Sequence, residues 1–174
     1  IAILGLGGVG GFYGGKLARR FGNSSNVGVY FITRGEHLEA IQKNGIRVIS
    51  DRDDFTAKPD LATDNPSEIG MMDYVILTTK SYDLVDSIEF IKPCIGKKTV
   101  LLPLLNGGDI TERIRQILPN HIVWSGCSYI VSRKTDPGII KSSGSYAKFV
   151  FGYDNGDNEQ LKSFENLLKE ADID

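Results

Sequence analysis

The feature that most constrains the fold is a glycine-rich segment near the start of the chain. Gly5-Leu6-Gly7-Gly8-Val9-Gly10 has the spacing G-x-G-x-x-G and directly follows the apolar run of residues 1–4. In such a segment the first glycine allows a tight turn, the second lets the backbone approach a pyrophosphate, and the third lets a helix lie close to the strand. Because helix N-termini favour anions, residues 5–10 are predicted to bind a dinucleotide. The alternative is a glycine-rich turn with a packing role only.

The next 110 residues alternate between strand-like and helix-like patterns. Strands are predicted over residues 1–4, 27–32, 46–49, 55–57, 73–79 and 99–102. Helices are predicted to run from the glycine segment to Phe21, over residues 36–43 and 110–118, and between Leu84 and Pro93. This alternation is typical of a doubly wound parallel sheet, so we predict a Rossmann-like α/β fold.

The pattern changes after residue 120. Strands are predicted over residues 122–131, 139–141 and 146–151, joined by the turn signals Asp136-Pro137-Gly138 and Ser142-Ser143-Gly144. They predict an antiparallel hairpin annex at the edge of the parallel sheet. A final amphipathic helix is predicted over residues 157–171, with its apolar side chains facing inward: Leu161, Phe164, Leu167 and Leu168.

Composition excludes several classes of protein. The chain has 174 residues, 41% hydrophobic and 24% charged, which suits a globular core that needs no disulfide or metal. A formal net charge of -2 provides no basic field for nucleic acid or an anionic membrane. The apolar runs are too short to cross a bilayer and no secretory leader is visible, so we expect a cytoplasmic protein.

Cysteine and histidine offer little material for chemistry. Cys94 and Cys127 match no zinc or redox spacing and are predicted to be buried thiols. His37, read as part of a charged loop, and His121 are the only histidines, so neither a metal site nor a histidine-based catalytic site is expected.

The residue after the second predicted strand bears on the choice of nucleotide. NAD-binding units carry an acidic residue there for the ribose hydroxyls, whereas this chain has Arg34. A guanidinium suits a 2'-phosphate, so the sequence favours NADP over NAD. Two alternatives stay open: Glu36 could turn back to a ribose, or Arg34-Gly35-Glu36 could be the solvated start of a helix.

Two more polar residues are expected at the same edge of the sheet. Lys80 follows the strand at 73–79, and Asn106 follows the strand at 99–102. Ligands of open parallel sheets bind at the carboxyl ends of the strands. Lys80 is therefore expected near the adenosine phosphate or adenine, and Asn106 near the nicotinamide ribose or the substrate. The alternatives are a solvated lysine and a simple Asn-Gly turn.

Together these segments resemble the 2-dehydropantoate 2-reductase family, also called ketopantoate reductase. The resemblance covers residues 1–152 and rests on ordered segments: Ile3 to Gly10 with Tyr13-Gly14, Arg34, Asp73 to Ile76, Thr79 to Tyr82, Asn106 to Gly108, Gly126, Pro137-Gly138 and Gly152. It implies an NADPH-dependent oxidoreductase of pantothenate and coenzyme A biosynthesis, which reduces 2-dehydropantoate to pantoate.

The resemblance also implies roles for individual residues. Residues 5–10 and Arg34 would bind NADPH, Lys80 would flank its adenosine end, and Asn106 would contact both the nicotinamide ribose and the substrate. A further cofactor contact is implied six residues after Gly126, at Ser132, although serine is not the residue type expected there.

A second, helical domain is implied as well. Family members are roughly twice this size, and that domain begins with a lysine that acts as general acid. We expect the domain and its lysine beyond Asp174, so residues 1–174 would form the NADP-binding domain and be inactive alone. No residue of this chain, Lys80 and Lys148 included, is therefore assigned a catalytic role. A homodimer formed through the second domain would be compatible with this expectation.

Two other functions are compatible with these residues. One is another NADP-dependent reductase of 2-keto acids or hydroxy acids with the same two domains, and the other is a non-catalytic nucleotide-sensing domain. A short-chain reductase is excluded, because no tyrosine in the chain is followed by lysine four residues later.

Overall fold

The computed structural model describes residues 1–154 and 159–174. Its helices are α1 (Gly8–Phe21), α2 (Gly35–Asn44), α3 (Leu84–Ile91), α4 (Ile110–Ile117) and α5 (Glu159–Glu170). Its strands are β1 (Ala2–Leu4), β2 (Tyr30–Ile32), β3 (Ile46–Ile49), β4 (Asp54–Ala57), β5 (Leu61–Thr63), β6 (Tyr74–Leu77), β7 (Val100–Pro103), β8 (Ile122–Val123), β9 (Ser125–Asp136) and β10 (Ile139–Gly152). One-turn 3-10 helices lie at Pro66–Glu68, Ser81–Asp83 and Lys92–Cys94.

Six strands form a parallel sheet in the order β5-β2-β1-β6-β7-β8. If these six strands are renumbered 1 to 6 as they occur along the chain, their order across the sheet is 3-2-1-4-5-6. This is the strand order of doubly wound dinucleotide-binding folds. The predicted Rossmann-like sheet is confirmed. The order reverses between β1 and β6, so the loops after β1, β2, β6 and β7 meet at one edge, which we call the carboxyl edge.

Each face of the parallel sheet has its own apolar core. Successive residues of a strand point to opposite faces, so Ile3 packs in the core that contains Leu17 of α1, and Leu4 packs in the core that contains Leu84 of α3. Helices α3 and α4 cover one face. Helices α1 and α5 cover the other, together with a second sheet.

That second sheet has the order β4-β3-β10-β9, with β10 antiparallel to β9 and parallel to β3. It packs against α1, and glycines on the helix make room for it: a Cβ built on Gly11 would lie 2.5 Å from the Ile140 side chain. The predicted hairpin annex therefore exists, but its expected position at the edge of the parallel sheet is wrong. It is a separate sheet that covers α1.

Two element boundaries around this sheet differ from prediction. The strand expected over residues 122–131 is divided at Trp124, because β8 completes the parallel sheet and β9 belongs to the second sheet. The turn expected at Ser142-Ser143-Gly144 is absent, since β10 runs continuously through an irregularity in its pairing with β9. Gly144 has φ +86° and lies at this irregularity. The glycine that was expected to form a turn therefore lies in a bulge within one strand.

Smaller differences concern short or terminal segments. Strand β5 was not predicted, and the second predicted strand is shortened to Tyr30–Ile32. Helix α5 begins at Glu159, and the predicted residues 157 and 158 lie outside the described residues. As expected, Phe164 and Leu168 are buried in the core.

Candidate functional site

The glycine loop, residues 5–10, has an open backbone at the carboxyl edge. Gly5 has φ +90°, and its N–H donates to the Ile32 carbonyl at 3.0 Å, so the chain turns sharply after β1. A Cβ on Gly10 would overlap the Gly5 carbonyl oxygen, whereas a Cβ on Gly7 would have no atom within 4 Å. The three glycines thus supply a turn, a free face and a close helix contact, which are the geometries that the motif predicts.

The start of α1 leaves backbone donors available. Gly7 is the N-cap residue, no side chain caps the helix, and the first turn contains no acidic residue. The first N–H groups of a helix have no partner within the helix, and its dipole favours an anion at this end. The glycine loop therefore fits a phosphate group.

Two cations stand on either side of the glycine loop. Arg34 is the N-cap residue of α2, just after β2, and Lys80 follows β6 at the start of a 3-10 helix. Strands β2 and β6 are the neighbours of β1. Both side chains are exposed, and neither forms an ion pair with a carboxylate in the part of the chain that the structure describes. Their charges are therefore available to an anionic ligand.

Thr78 ties the end of β6 to the glycine loop, a role that the sequence analysis missed. Its hydroxyl lies 3.0 Å from the Leu4 carbonyl oxygen and also contacts the Gly5 carbonyl oxygen. Its backbone N–H donates to the same Leu4 carbonyl at 2.9 Å. Thr78 therefore holds the turn that places the loop at the carboxyl edge.

Asn106 lies farther along the same edge. It is exposed and follows β7, which is separated from β1 by β6. Two strand spacings correspond to roughly 10 Å, so Asn106 and the glycine loop border different parts of the edge. Gly107, with φ +134°, then turns the chain towards α4.

Ser132 reaches the glycine loop from the second sheet. A Cβ on Gly8 would lie 2.5 Å from the Ser132 carbonyl carbon, so β9 passes directly against the start of α1. The Ser132 hydroxyl oxygen is buried and has no hydrogen-bond partner among the described residues. Buried polar atoms in folded proteins are nearly always bonded, so this hydroxyl is a candidate contact for a ligand at the loop.

His37 is the second residue of the site that the sequence analysis missed. The expectation of a charged loop is wrong, because His37 is buried within the first turn of α2. Its Nε2 lies 2.8 Å from the Leu6 carbonyl oxygen, and the Gly138 N–H donates to its Nδ1 at 2.8 Å. Burial lowers the pKa of His37 below its ordinary 6.5, nearby Lys134 lowers it further, and the bond to Leu6 opposes both.

The two cysteines differ from each other. Cys94 is buried as predicted, and burial raises the pKa of its thiol. Cys127 is exposed, so the expectation of a buried thiol is wrong there. It is one of the exposed residues that alternate along β9 with partly buried neighbours, so its side chain lies on the more exposed side of that strand.

Other features of the molecule do not compete with the glycine loop. Within residues 1–154 and 159–174, no group of three or more His, Cys, Asp or Glu side chains could hold a metal ion. Among the helices of those ranges, none is long and apolar enough to cross a membrane. A cavity of about 430 Å³ lies between α1 and the second sheet, with Lys16 and Tyr146 in its wall, but it includes no residue of the loop. Phosphate binding needs free N–H donors rather than enclosure, so we place the candidate site at the loop.

The parallel sheet with a glycine-rich turn after its central strand defines the class of Rossmann-like α/β domains. The chain belongs to the ketopantoate reductase PanE/ApbA family, whose family model matches residues 1–156. The resemblance inferred from the sequence is thereby confirmed.

Individual relatives support this assignment. The chain is 32% identical over 167 residues to uncharacterized oxidoreductase YkpB of Bacillus subtilis (strain 168). The aligned region covers 95% of this chain and 53% of that protein. It is 36% identical over 107 residues to 2-dehydropantoate 2-reductase of Mesorhizobium japonicum, covering 62% of the chain and 31% of that protein. The crystal structure of 2-dehydropantoate 2-reductase from Porphyromonas gingivalis W83 matches with a TM-score of 0.93 and 44% identity, covering 99% of this chain and 61% of that one. The chain thus spans about half or less of the length of the two curated relatives, from Bacillus subtilis and Mesorhizobium japonicum.

Proposed function

We propose that this chain is the NADP(H)-binding domain of an enzyme that reduces 2-dehydropantoate to pantoate, a step towards pantothenate and coenzyme A. The observation that carries the proposal is the open glycine loop with a cation on either side, Arg34 and Lys80, neither of which forms an ion pair within residues 1–154 and 159–174. The substrate comes from the relatives named 2-dehydropantoate 2-reductase.

The residues of the site fit a dinucleotide. The free face at Gly7 and the uncapped start of α1 would hold the pyrophosphate, through backbone N–H groups of residues 5–10. The buried hydroxyl of Ser132 beside Gly8, which has no hydrogen-bond partner among the described residues, would supply one further polar contact. Lys80 would place its charge next to the adenosine half.

Arg34 supports NADP rather than NAD. No carboxylate immediately follows β2, where NAD-binding domains hold the ribose hydroxyls; Thr33 and Arg34 stand there instead. The Arg34 guanidinium is exposed and forms no ion pair with an acid among the described residues, so its planar donors could bind a 2'-phosphate. Glu36 lies in the first turn of α2 and is also exposed.

The chemistry divides between this chain and the rest of the protein. A bound reduced nicotinamide supplies the hydride that the C2 ketone of the substrate accepts. In this chain, Asn106 would orient the nicotinamide ribose and the substrate, while the glycine loop would hold the pyrophosphate and Arg34 the 2'-phosphate at the adenosine end. The lysine that protonates the C2 oxygen would belong to the second domain, so residues 1–174 alone would bind NADP(H) without turnover.

Titration of the chain with NADPH, followed by nicotinamide fluorescence, tests the cofactor part. Saturable binding is expected, and no binding at millimolar NADPH would overturn the proposal. A steady-state assay of the full-length protein with 2-dehydropantoate tests the substrate part, with other 2-keto acids as controls. A higher kcat/KM for another 2-keto acid would reassign the substrate. Binding of NADPH without reduction of any keto acid would favour a nucleotide sensor.

A further inference from the structure

His37 joins the glycine loop to the second sheet through both nitrogens of its ring. Its Nε2 lies 2.8 Å from the carbonyl oxygen of Leu6, inside the loop. Its Nδ1 lies 2.8 Å from the backbone nitrogen of Gly138, at the turn between β9 and β10. The side chain is 4% exposed, so water does not replace either bond readily. His37 is thus the buried link between two parts of the chain that are 101 residues apart.

These two bonds determine the protonation state of the ring. The Gly138 N–H can only donate, so Nδ1 must accept and carries no proton. Leu6 offers a carbonyl oxygen, so the proton of the neutral ring resides on Nε2 and points into the loop. A second proton on Nδ1 would face the Gly138 N–H and leave two buried donors without acceptors, at a cost of about 1–3 kcal/mol each. The bridge therefore exists only with a neutral imidazole.

The bond to Leu6 also controls a neighbouring donor. The peptide unit that joins Leu6 to Gly7 is planar and trans, so the Leu6 carbonyl and the Gly7 N–H point in opposite directions. Holding the carbonyl towards His37 directs the Gly7 N–H away from His37. Gly7 is the N-cap residue of α1 and has the free face at which the proposed pyrophosphate would lie.

We propose that His37 is a positioning residue for the glycine loop, which holds the Leu6–Gly7 peptide in its anion-binding orientation through its Nε2 bond to Leu6. The inference rests on the proposed dinucleotide function. It implies that affinity for NADP depends on the ring's bond to Leu6 more than on its bond to Gly138. Protonation of Nδ1 would break the bond to Gly138 but keep the Nε2–H bond to Leu6, so it is not expected to release the loop.

Few charged groups surround the ring. Lys134 on β9 is the charged side chain that acts on it most. The glycine loop has no ionisable side chain, and the first two turns of α1 have only Tyr13, whose hydroxyl donates to the Lys148 carbonyl at 3.2 Å. Other ionisable groups on α2, β3 and β9 are exposed, and they include Glu36, Glu39, Lys43, Arg133, Asp136 and Arg47, the last bonded to Asp54. Protonation of His37 is therefore not offset by a buried acid.

Two substitutions separate the two bonds. In His37→Asn the amide reaches the position of Nδ1 and can accept from Gly138, but it falls short of Leu6. In His37→Gln the amide reaches the position of Nε2 and can donate to Leu6, but the Gly138 N–H then has no acceptor on residue 37. Each variant loses one bridge bond and the titratable ring, so the pair is matched for structural damage.

Calorimetric titration with NADP+ between pH 5.5 and about 7.5 compares the variants with the wild-type chain. At the upper pH we expect His37→Asn to bind NADP+ roughly two- to tenfold more weakly, the loss of one neutral hydrogen bond, and His37→Gln to stay within about twofold of wild type. As the pH falls, the wild type should stay within about twofold of His37→Gln, because the protonated ring, like the glutamine, keeps the bond to Leu6 and loses the bond to Gly138. The 2'-phosphate, with a pKa of about 6, titrates in all three proteins and so cancels in the comparison.

The outcomes distinguish the two proposals. Failure of the wild-type chain to bind NADP+ would overturn the proposed function. Normal wild-type binding, with equal affinity in all three proteins, would overturn only the role of His37, as would a loss of affinity in His37→Gln as large as that in His37→Asn. If the variants do not fold, NMR of the wild type decides: the Gly7 and Gly138 amide resonances should shift with the same midpoint as the His37 ring. Independent midpoints would contradict the proposal.

Discussion

Gly8 of α1 lies directly against Ser132 of β9, so that a Cβ built on Gly8 would be 2.5 Å from the Ser132 carbonyl carbon. Backbone thus meets backbone where the second sheet reaches the glycine loop. Gly7, the preceding residue, has no atom within 4 Å of the same hypothetical position. Two adjacent glycines of one loop therefore serve different purposes, the first open to a ligand and the second closed against a strand.

Alanine substitutions should separate these purposes. Gly8→Ala should lower the free energy of unfolding by about 1–3 kcal/mol, because the backbone of β9 must move away from α1. Gly7→Ala should leave stability within about 0.5 kcal/mol of wild type and weaken NADPH binding, because the methyl group occupies the free face. Urea denaturation and NADPH titration of both variants provide the check. A destabilised Gly7→Ala with normal NADPH affinity would contradict this division.

Arg34 should discriminate between the two nicotinamide dinucleotides. Arg34→Ala should weaken NADPH by about 1.5–3 kcal/mol, the value of a charge-assisted bond to the 2'-phosphate, and should change NADH binding much less. Arg34→Lys retains the charge but not the planar pair of donors. Its affinity for NADPH should therefore lie between that of the wild type and that of Arg34→Ala. The ratio of the NADPH and NADH dissociation constants is the measurement. Equal losses of affinity for NADPH and NADH would show that Arg34 does not bind the 2'-phosphate.

Thr78 should contribute to stability through its hydroxyl. Thr78→Val keeps the shape of the side chain but removes the bonds to the Leu4 and Gly5 carbonyls, so we expect a loss of about 1–3 kcal/mol. Thr78→Ser keeps the hydroxyl and should lose less. Thermal and urea unfolding of the two variants test the expectation. A valine variant as stable as the serine variant would show that the hydroxyl has no such role.

The stability of the chain should fall in mildly acidic solution. Because burial lowers the pKa of His37, the unfolded chain binds a proton at this residue more tightly than the folded chain does. The stabilisation is complete above the unfolded pKa of about 6.5 and is lost as the pH falls below it, with a slope of at most about 1.4 kcal/mol per pH unit for one group.

His37→Gln controls for other groups in this pH range. Groups other than His37 titrate in both proteins and therefore contribute equally to the two pH dependences. Urea unfolding at several pH values should therefore show a steeper dependence in the wild type than in His37→Gln. Parallel curves would mean that His37 does not couple folding to pH.

Local patterns in the sequence determined the parallel sheet and the glycine loop. Strand and helix periodicities, the glycines of residues 5–10 and the position of Arg34 after β2 each depend on neighbours within one or two turns of chain. The alternation of β1, α1 and β2 was therefore predictable, as was the turn at Gly5. The annex was predictable as a hairpin, since Pro137-Gly138 is a local turn signal.

Only the tertiary structure decided where the second sheet lies and what it contacts. The continuity of β10 through Gly144 depends on pairing with β9, and the division of the chain at Trp124 depends on which sheet each flank joins. His37 has no distinctive local pattern, because its partner Gly138 is 101 residues away and its partner Leu6 is 31 away. Burial and hydrogen bonding between distant segments are properties of the packed chain, so the link between loop and second sheet arose only on folding.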